Sequence, residues 1–163
     1  MNIFTSCQQS PLGPLTITSS STHILEISFS SNTRQAGTSE ELPSILGSCI
    51  RQLEQYFSGD LKSFDLALRP SGTSFQQKVW HALLEIPHGC TISYQKLAHK
   101  LGDPKAVRAV AAANGKNKIP VIIPCHRVIG SDGSMVGFAG GLENKEWLLR
   151  HEGAITQYPL FSA

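Results

Sequence analysis

The sequence predicts an α+β fold in two parts. A small antiparallel sheet with a helix occupies residues 1–72, and a mainly helical, winged-helix-like part occupies residues 73–163. Three observations carry this. Short apolar runs with partial alternation crowd into the first 29 residues. Apolar residues recur at helical spacing from Pro43 onward. Two short helical stretches meet at Gly102-Asp103, a tight turn of the kind found in a helix-turn-helix pair. At 163 residues the chain can bury roughly 70% of the surface its unfolded form exposes, enough to fold without cross-links.

Residues 2–7, 14–18 and 23–29 read as strands, with Leu15, Ile17, Ile24, Leu25, Ile27 and Phe29 as their apolar positions. Pro11 to Pro14 and Ser19 to Thr22 are the turns between them. Residues 30–42 are polar and read as a surface loop. Pro43 opens a helix whose apolar face is Ile45, Leu46, Cys49, Leu53 and Tyr56/Phe57, stopped by Ser58-Gly59-Asp60. A further short strand is expected over residues 64–68, and residues 69–72 read as the connection to the second part.

Thr73 or Ser74 caps the next helix, carried by Phe75, Val79, Trp80, Leu83 and Leu84 and ended by Ile86-Pro87-His88-Gly89. Residues 90–92 are extended. Ser93 caps a helix through Leu101, and Gly102 ends it. Asp103 is expected to cap an alanine-rich helix from Pro104 to about Asn114, with proline at its first position.

Hydrophobic residues make up 40% of the chain and charged residues 16%, which excludes a disordered chain, a coiled coil and a fibre. The longest apolar run, Ile119 to Pro124, is far short of the ~18 residues a membrane helix needs. MNIFTSCQQS does not read as a signal peptide. Cys7, Cys49, Cys90 and Cys125 show no Cys-x-x-Cys spacing, so free thiols in a reducing, cytoplasmic setting are expected. Charge is uneven. Residues 1–92 hold five Lys/Arg and seven Asp/Glu, whereas residues 93–128 hold seven Lys/Arg against Asp103 alone, a local balance of +6. Such a segment suits a polyanion or a solvated basic face.

The alanine-rich helix offers Ala106, Ala109, Ala111, Ala112 and Ala113, with Arg108 its long central cation and Lys105 near its start. Readers of base edges usually present Arg, Asn or Gln. Small residues instead let a backbone approach closely, and one arginine among them suits tight, sequence-tolerant packing in a groove. The alternative is a helix packed on a neighbour, with Arg108 capping a carbonyl.

Chemistry concentrates in Ile119 to Gly130. Here Cys125 follows Pro124 and is followed by His126 and Arg127. Cationic neighbours are expected to lower a thiol pKa and favour the nucleophilic thiolate. His126 need not touch Cys125, since a water can link them and a carboxylate can orient the ring. A lone Cys-His pair also fits a buried structural cysteine. His23, His81, His88, His99 and His151 read as surface or capping residues, and Trp80 and Trp147 as core.

Pro124-Cys-His-Arg-Val128 resembles the active-site signature of the O6-alkylguanine-DNA alkyltransferases. The likeness extends to Ser93-Tyr94-Gln-Lys-Leu-Ala98, Arg108-Ala-Val110, Asn117, Gly140-Gly141-Leu142, Lys145-Glu-Trp-Leu-Leu149 and His151-Glu152-Gly153, covering residues 73–153 densely. The resemblance implies a ribonuclease H-like N-terminal fold and irreversible, stoichiometric transfer of an alkyl group from guanine O6 in DNA to Cys125. His126 would act as a water-mediated base, Glu152 would orient it, and Asn117 would hold the turn. Tyr94 would donate a proton to the base and rotate the phosphate. Val128, Phe138, Ala139, Gly140 and Pro120 would contact the flipped base. Arg108 would fill the vacated stack, with Lys105, Ala106, Ala109, Ala111 and Ala112 against DNA. The implied partner is duplex DNA bearing O6-alkylguanine, bound through the minor groove by a monomer, with cooperativity and O4-alkylthymine repair left open. No cofactor and no metal are expected.

Two positions depart from the pattern. Phe138-Ala139 stands where some members carry Tyr-Ser, and Lys118 replaces a common proline. A lesion sensor without chemistry, a Cys-His hydrolase and a helix-turn-helix regulator are the competing classes.

Overall fold

The structure is a computed structural model and describes residues 2–29 and 41–155. The loop expected over 30–42 therefore lies outside the described residues, apart from its last two.

Alternation in the first segment produces three antiparallel strands, β1 (Phe4–Gln8), β2 (Leu15–Ser19) and β3 (Ile24–Ser28), in the order β1-β2-β3. Period-2 geometry sends Leu15 and Ile17 of β2 to one face, where both are fully buried. Helix α1 (Ser44–Phe57) covers that face with Leu46, Cys49, Leu53 and Tyr56, the stripe set by its apolar spacing.

The strand expected over 64–68 is reduced to one parallel bridge between Ile24 and Leu68. The cause is local. The Gln52 side-chain amide takes both backbone groups of Asp65, accepting from its N–H at 2.8 Å and donating to its carbonyl at 3.0 Å. That leaves no ladder for a neighbouring strand to complete.

Helix α2 (Ser74–Leu83) starts at Thr73, whose side chain forms a reciprocal capping box with Gln76. Trp80 is buried on this helix and its indole N–H reaches the Ala113 carbonyl at 2.8 Å. Strand β4 (Ile92–Ser93) leads into α3 (Tyr94–Lys100), capped by Ser93 as expected. Gly102, at φ +90°, ends α3 while the Asp103 N–H reaches back to the Ala98 carbonyl at 3.2 Å.

The next helix begins later than the sequence predicts. Asp103 caps only a turn, with Oδ1 accepting from the Lys105 N–H and its carbonyl from the Ala106 N–H. Ala106 sits at ψ 22°, outside helical geometry, so α4 runs from Val107 to Gly115. Its buried face, Val110, Ala113 and Asn114, packs against α2 and α3.

The chain then passes through the 3-10 turn Cys125–Arg127 into β5 (Val128–Ile129), which pairs in parallel with β4, and closes with α5 (Leu142–His151). The β4–β5 ribbon, which the sequence did not announce, places the cysteine turn beside the start of α3. The two parts meet closely: the Ile27 N–H of β3 donates to the Lys118 carbonyl at 2.9 Å, and Asn144 donates to the Leu12 carbonyl at 3.1 Å. Among the described residues no helix is long and apolar enough to cross a membrane.

Removing the Thr73 hydroxyl dissolves the capping box without touching the core. Thr73→Ala should cost about 1 kcal/mol, a fall in Tm of roughly 2–4 °C, read by thermal denaturation.

Candidate active site

Prolines and a side-chain clamp shape the turn that carries the thiol. Asn117 braces it from both sides: Oδ1 accepts from the Ile119 N–H at 3.0 Å, and Nδ2 donates to the Ile123 carbonyl at 2.7 Å. Between them Val121 is held at φ +73°, a left-handed conformation that a β-branched residue rarely adopts. Such strain persists only where its surroundings over-determine it. Pro124, at φ −81° and ψ 64°, forms an inverse γ-turn in which the Cys125 N–H reaches the Ile123 carbonyl at 2.8 Å. The thiol is thereby fixed on a short 3-10 turn, and Cys125 is 4% exposed.

Glu152, at the end of α5, is the hub behind it. Its Oε2 accepts from His126 Nε2 at 2.9 Å, Arg127 at 2.9 Å and the Tyr56 hydroxyl at 2.7 Å. Its Oε1 accepts from Arg127 Nε at 2.8 Å. All four residues are buried. Burial alone would raise the Glu152 pKa, but the hydrogen bonds and charges of His126 and Arg127 outweigh it and hold the carboxyl far below its usual range. A carboxylate only accepts, so His126 Nε2 carries the proton, and its Nδ1 is left buried with no hydrogen-bond partner among the described residues. Burial pushes the imidazole pKa down, so the ring is neutral near pH 7.

The expected lowering of the thiol pKa is not what the structure shows. Burial raises Cys125 to about 11, opposed by the Asn117 amide and the Lys145 charge. Arg127 is committed to Glu152 and, through its second arm, to the Ile86 carbonyl at 2.6 Å. The cation that acts on the thiol is Lys145, buried on α5. Its Nζ donates to the Val128 carbonyl at 2.7 Å and the Val136 carbonyl at 2.8 Å and lies 5.8 Å from the centre of the Tyr94 ring. Burial lowers its pKa to about 8.

Tyr94 donates to the Val136 carbonyl at 2.9 Å. Asn114 links it to the cysteine, donating to the Cys125 carbonyl at 3.2 Å and approaching the Tyr94 hydroxyl at 3.5 Å. Cys125, His126, Glu152, Asn117, Tyr94 and Val128 thus come together. Phe138 and Gly140 sit on the loop before α5, where the Phe138 ring meets Phe29 edge-on at 5.6 Å. A Cβ at Gly140 would meet both rings at 2.8 Å, so that close approach needs glycine. Pro120 and Ala139 face an open cleft of about 670 Å³ between β3 and the Lys116–Lys118 turn, whose lining does not include Cys125. On α4, Arg108, Ala109 and Ala112 are exposed, as is Lys105 just before the helix. Ala106 and Ala111, expected against DNA, are instead half-buried against the core. Arg108 caps no carbonyl among the described residues.

The models of two domains match this chain. The 6-O-methylguanine DNA methyltransferase ribonuclease-like domain matches residues 3–70, and the DNA binding domain of the same protein matches residues 74–154. The chain belongs to the 6-O-methylguanine DNA methyltransferase family. A relative named methylated-DNA–protein-cysteine methyltransferase, from Methanosarcina acetivorans, is 44% identical over 90% of this chain and 96% of its own. One of the same name from Mycobacterium bovis is 42% identical over 88% of each. The crystal structure of Mycobacterium tuberculosis OGT in complex with DNA superposes with a TM-score of 0.82, at 41% identity and 92% coverage of each chain. A crystal structure of the Mycobacterium tuberculosis O6-methylguanine methyltransferase gives 0.80, at 37% identity and 99% coverage of each chain.

Within this methyltransferase fold, sequence reasoning missed the parts played by Tyr56, Asn114 and Lys145. Two had a signal. Lys145 shares a helix face with Leu148 and Leu149, and Asn114 shares one with Val110; a polar residue on an apolar face asks for a buried partner. Tyr56 continues the apolar stripe of α1, and nothing in the pattern points to a carboxylate 96 positions away. His151, expected as a surface or capping residue, is half-buried, donates to the Tyr56 carbonyl in the last turn of α1 at 2.6 Å and stacks on Trp147 at 4.7 Å.

The folded pKa of Glu152 lies below its unfolded value, so its stabilisation is complete above the ordinary carboxylate range and is lost as pH falls through the folded value. In Glu152→Gln, stability at pH 7 should drop by about 3–5 kcal/mol, as for a buried ion pair losing one partner. The native chain should lose stability below about pH 4, and the variant should show less of that loss, as read from Tm against pH.

Proposed function

We propose that this protein repairs DNA by direct reversal, taking the alkyl group of O6-alkylguanine onto its own Cys125, once per molecule. The sulfur forms a bond to the alkyl carbon as the carbon–oxygen bond breaks. The bond's electron pair returns to the base, which takes up a proton and leaves as guanine. The observation that carries the reading is a buried thiol followed in the chain by a neutral imidazole whose Nε2 is locked on Glu152, leaving Nδ1 as an acceptor. A thiol raised to about 11 is protonated at neutral pH, so it needs that base. The proton passes to Nδ1 through a water, and Glu152 holds the ring in the required tautomer. The Val128 carbonyl, which accepts from Lys145, is the acceptor for the guanine amino group, whereas the Cys125 carbonyl already accepts from both Asn114 and the Val128 N–H.

A buried thiol cannot meet a stacked base, so the lesion is extruded from the duplex. Lys105, Arg108, Ala109 and Ala112 form the exposed face that enters the minor groove, with Arg108 filling the gap. The protein acts as a monomer, with residues 1–72 as the platform and 73–163 as the DNA-binding and transfer domain. All four cysteines are free, which suits a reducing cytoplasm.

Titration with an oligonucleotide holding one O6-methylguanine should end at one equivalent, with one methyl on Cys125 by mass spectrometry. Turnover would mark a hydrolase, and binding without a mass change a sensor. Cys125→Ser should abolish transfer while retaining DNA binding, because a hydroxyl is far less nucleophilic than a thiol. Transfer by Cys125→Ser would overturn the assignment.

Arg108→Ala should slow repair of duplex DNA by about tenfold to a thousandfold, since extrusion loses a few kcal/mol that the arginine partly offsets. Reaction with a free alkylated base should be nearly unchanged. Equal losses on both substrates, with a lower Tm, would make Arg108 a packing residue.

A further inference from the structure

Among the described residues, the one side chain from 1–72 that hydrogen-bonds Glu152 is Tyr56. Its hydroxyl donates to Oε2 at 2.7 Å, the same oxygen that accepts from His126 Nε2. The direction of that bond is fixed, because a carboxylate has no proton to give. The ring is clamped rather than free to turn. Phe57 and Phe64 lie 5.3 Å from it, His151 5.1 Å and His88 6.3 Å, and the Tyr56 carbonyl accepts from His151. Packing alone would be served equally well by phenylalanine.

We propose that Tyr56 is a positioning residue for proton transfer: its hydroxyl holds Glu152 against His126 Nε2 and draws charge from the shared oxygen, keeping the imidazole neutral with Nδ1 turned to accept. This rests on the assignment of Cys125 as acceptor and His126 as base. The charged groups acting on the imidazole are Glu152, Arg127 and Lys145; Tyr56 and His88 act on Glu152 in turn, and His151 packs on Tyr56. Arg127 and Lys145 disfavour the imidazolium and Glu152 favours it. Tyr56 weakens the one group that favours it, because each donor on Oε2 reduces the negative charge the ring sees. Burial, the Glu152 charge and the hydrogen bond to Glu152 all raise the pKa of the phenol, so it remains a donor throughout the working range.

The test is the titration of the His126 imidazole by NMR in the free protein, beside the pH dependence of methyl transfer. In Tyr56→Phe the imidazole midpoint should rise by about half a unit to one unit, the scale of one lost hydrogen bond to its counter-ion. The acid limb of the transfer rate should move up with it. In Tyr56→3-fluorotyrosine, whose more acidic phenol is a stronger donor and keeps the packing, the midpoint should fall. Phe64→Leu trims the ring against Tyr56 and should lower Tm while leaving the midpoint in place. An unmoved midpoint in the two Tyr56 variants, or an equal displacement in Phe64→Leu, overturns the proposal. The titration needs no DNA, so it separates this proposal from the assignment of Cys125, whose failure would show as an unmodified thiol after reaction.

Discussion

The buried Glu152 carboxylate is the constraint on which the rest depends. It accepts four hydrogen bonds from three side chains, and these arrive from α1, from the cysteine turn and from the turn's own arginine. A charge taken out of water is tolerable only when its lone pairs are filled by well-placed donors. That requirement fixes the approach of α5 to the cysteine turn and of α1 to both. It also settles the tautomer of His126. The same atoms therefore hold the two parts of the chain together and leave Nδ1 ready to accept.

The thiol is kept in a state opposite to the one its neighbours in sequence suggest. Burial dominates, and Arg127, adjacent to His126, spends its donors on Glu152 and Ile86. A protonated, enclosed thiol is protected from casual oxidation and alkylation, and it becomes reactive only when a base takes its proton. Lys145 supplies the nearby positive charge and ties the Val128 carbonyl to the Val136 carbonyl, so the segment before α5 and the cysteine turn are held at one distance. Asn117 and the left-handed Val121 serve the same end from the other side, with stored backbone strain setting the turn.

Much of the fold was legible because local rules and tertiary packing agree. The alternation of Leu15 and Ile17, the stripe Leu46–Cys49–Leu53–Tyr56, the Thr73 cap and the Ser93 cap all appear where their spacing places them. The failures have local causes that pattern alone does not carry. Asp103 has the right chemistry for a helix cap, but its bonds close a separate turn, and α4 starts three residues later than Pro104. Residues 64–68 have strand composition, but the Gln52 amide satisfies the backbone of Asp65 and ends the ladder after one bridge.

By itself the sequence determined the family and the candidate nucleophile and base, because Pro124, Cys125, His126 and Arg127 are contiguous and their chemistry is readable from residue type. It left open whether Arg108 lies free or caps a carbonyl, and the structure exposes it beside Ala109 and Ala112 while turning Ala106, Ala111 and Ala113 inward. Only the tertiary structure decided which partners complete the site. Tyr56 and Glu152 stand 96 residues apart, Lys145 and Val128 17 apart, and no periodicity within one element can signal a bond between two. It also decided the sign of the thiol shift, because the dielectric around a side chain is set by everything that packs upon it and not by its neighbours along the chain.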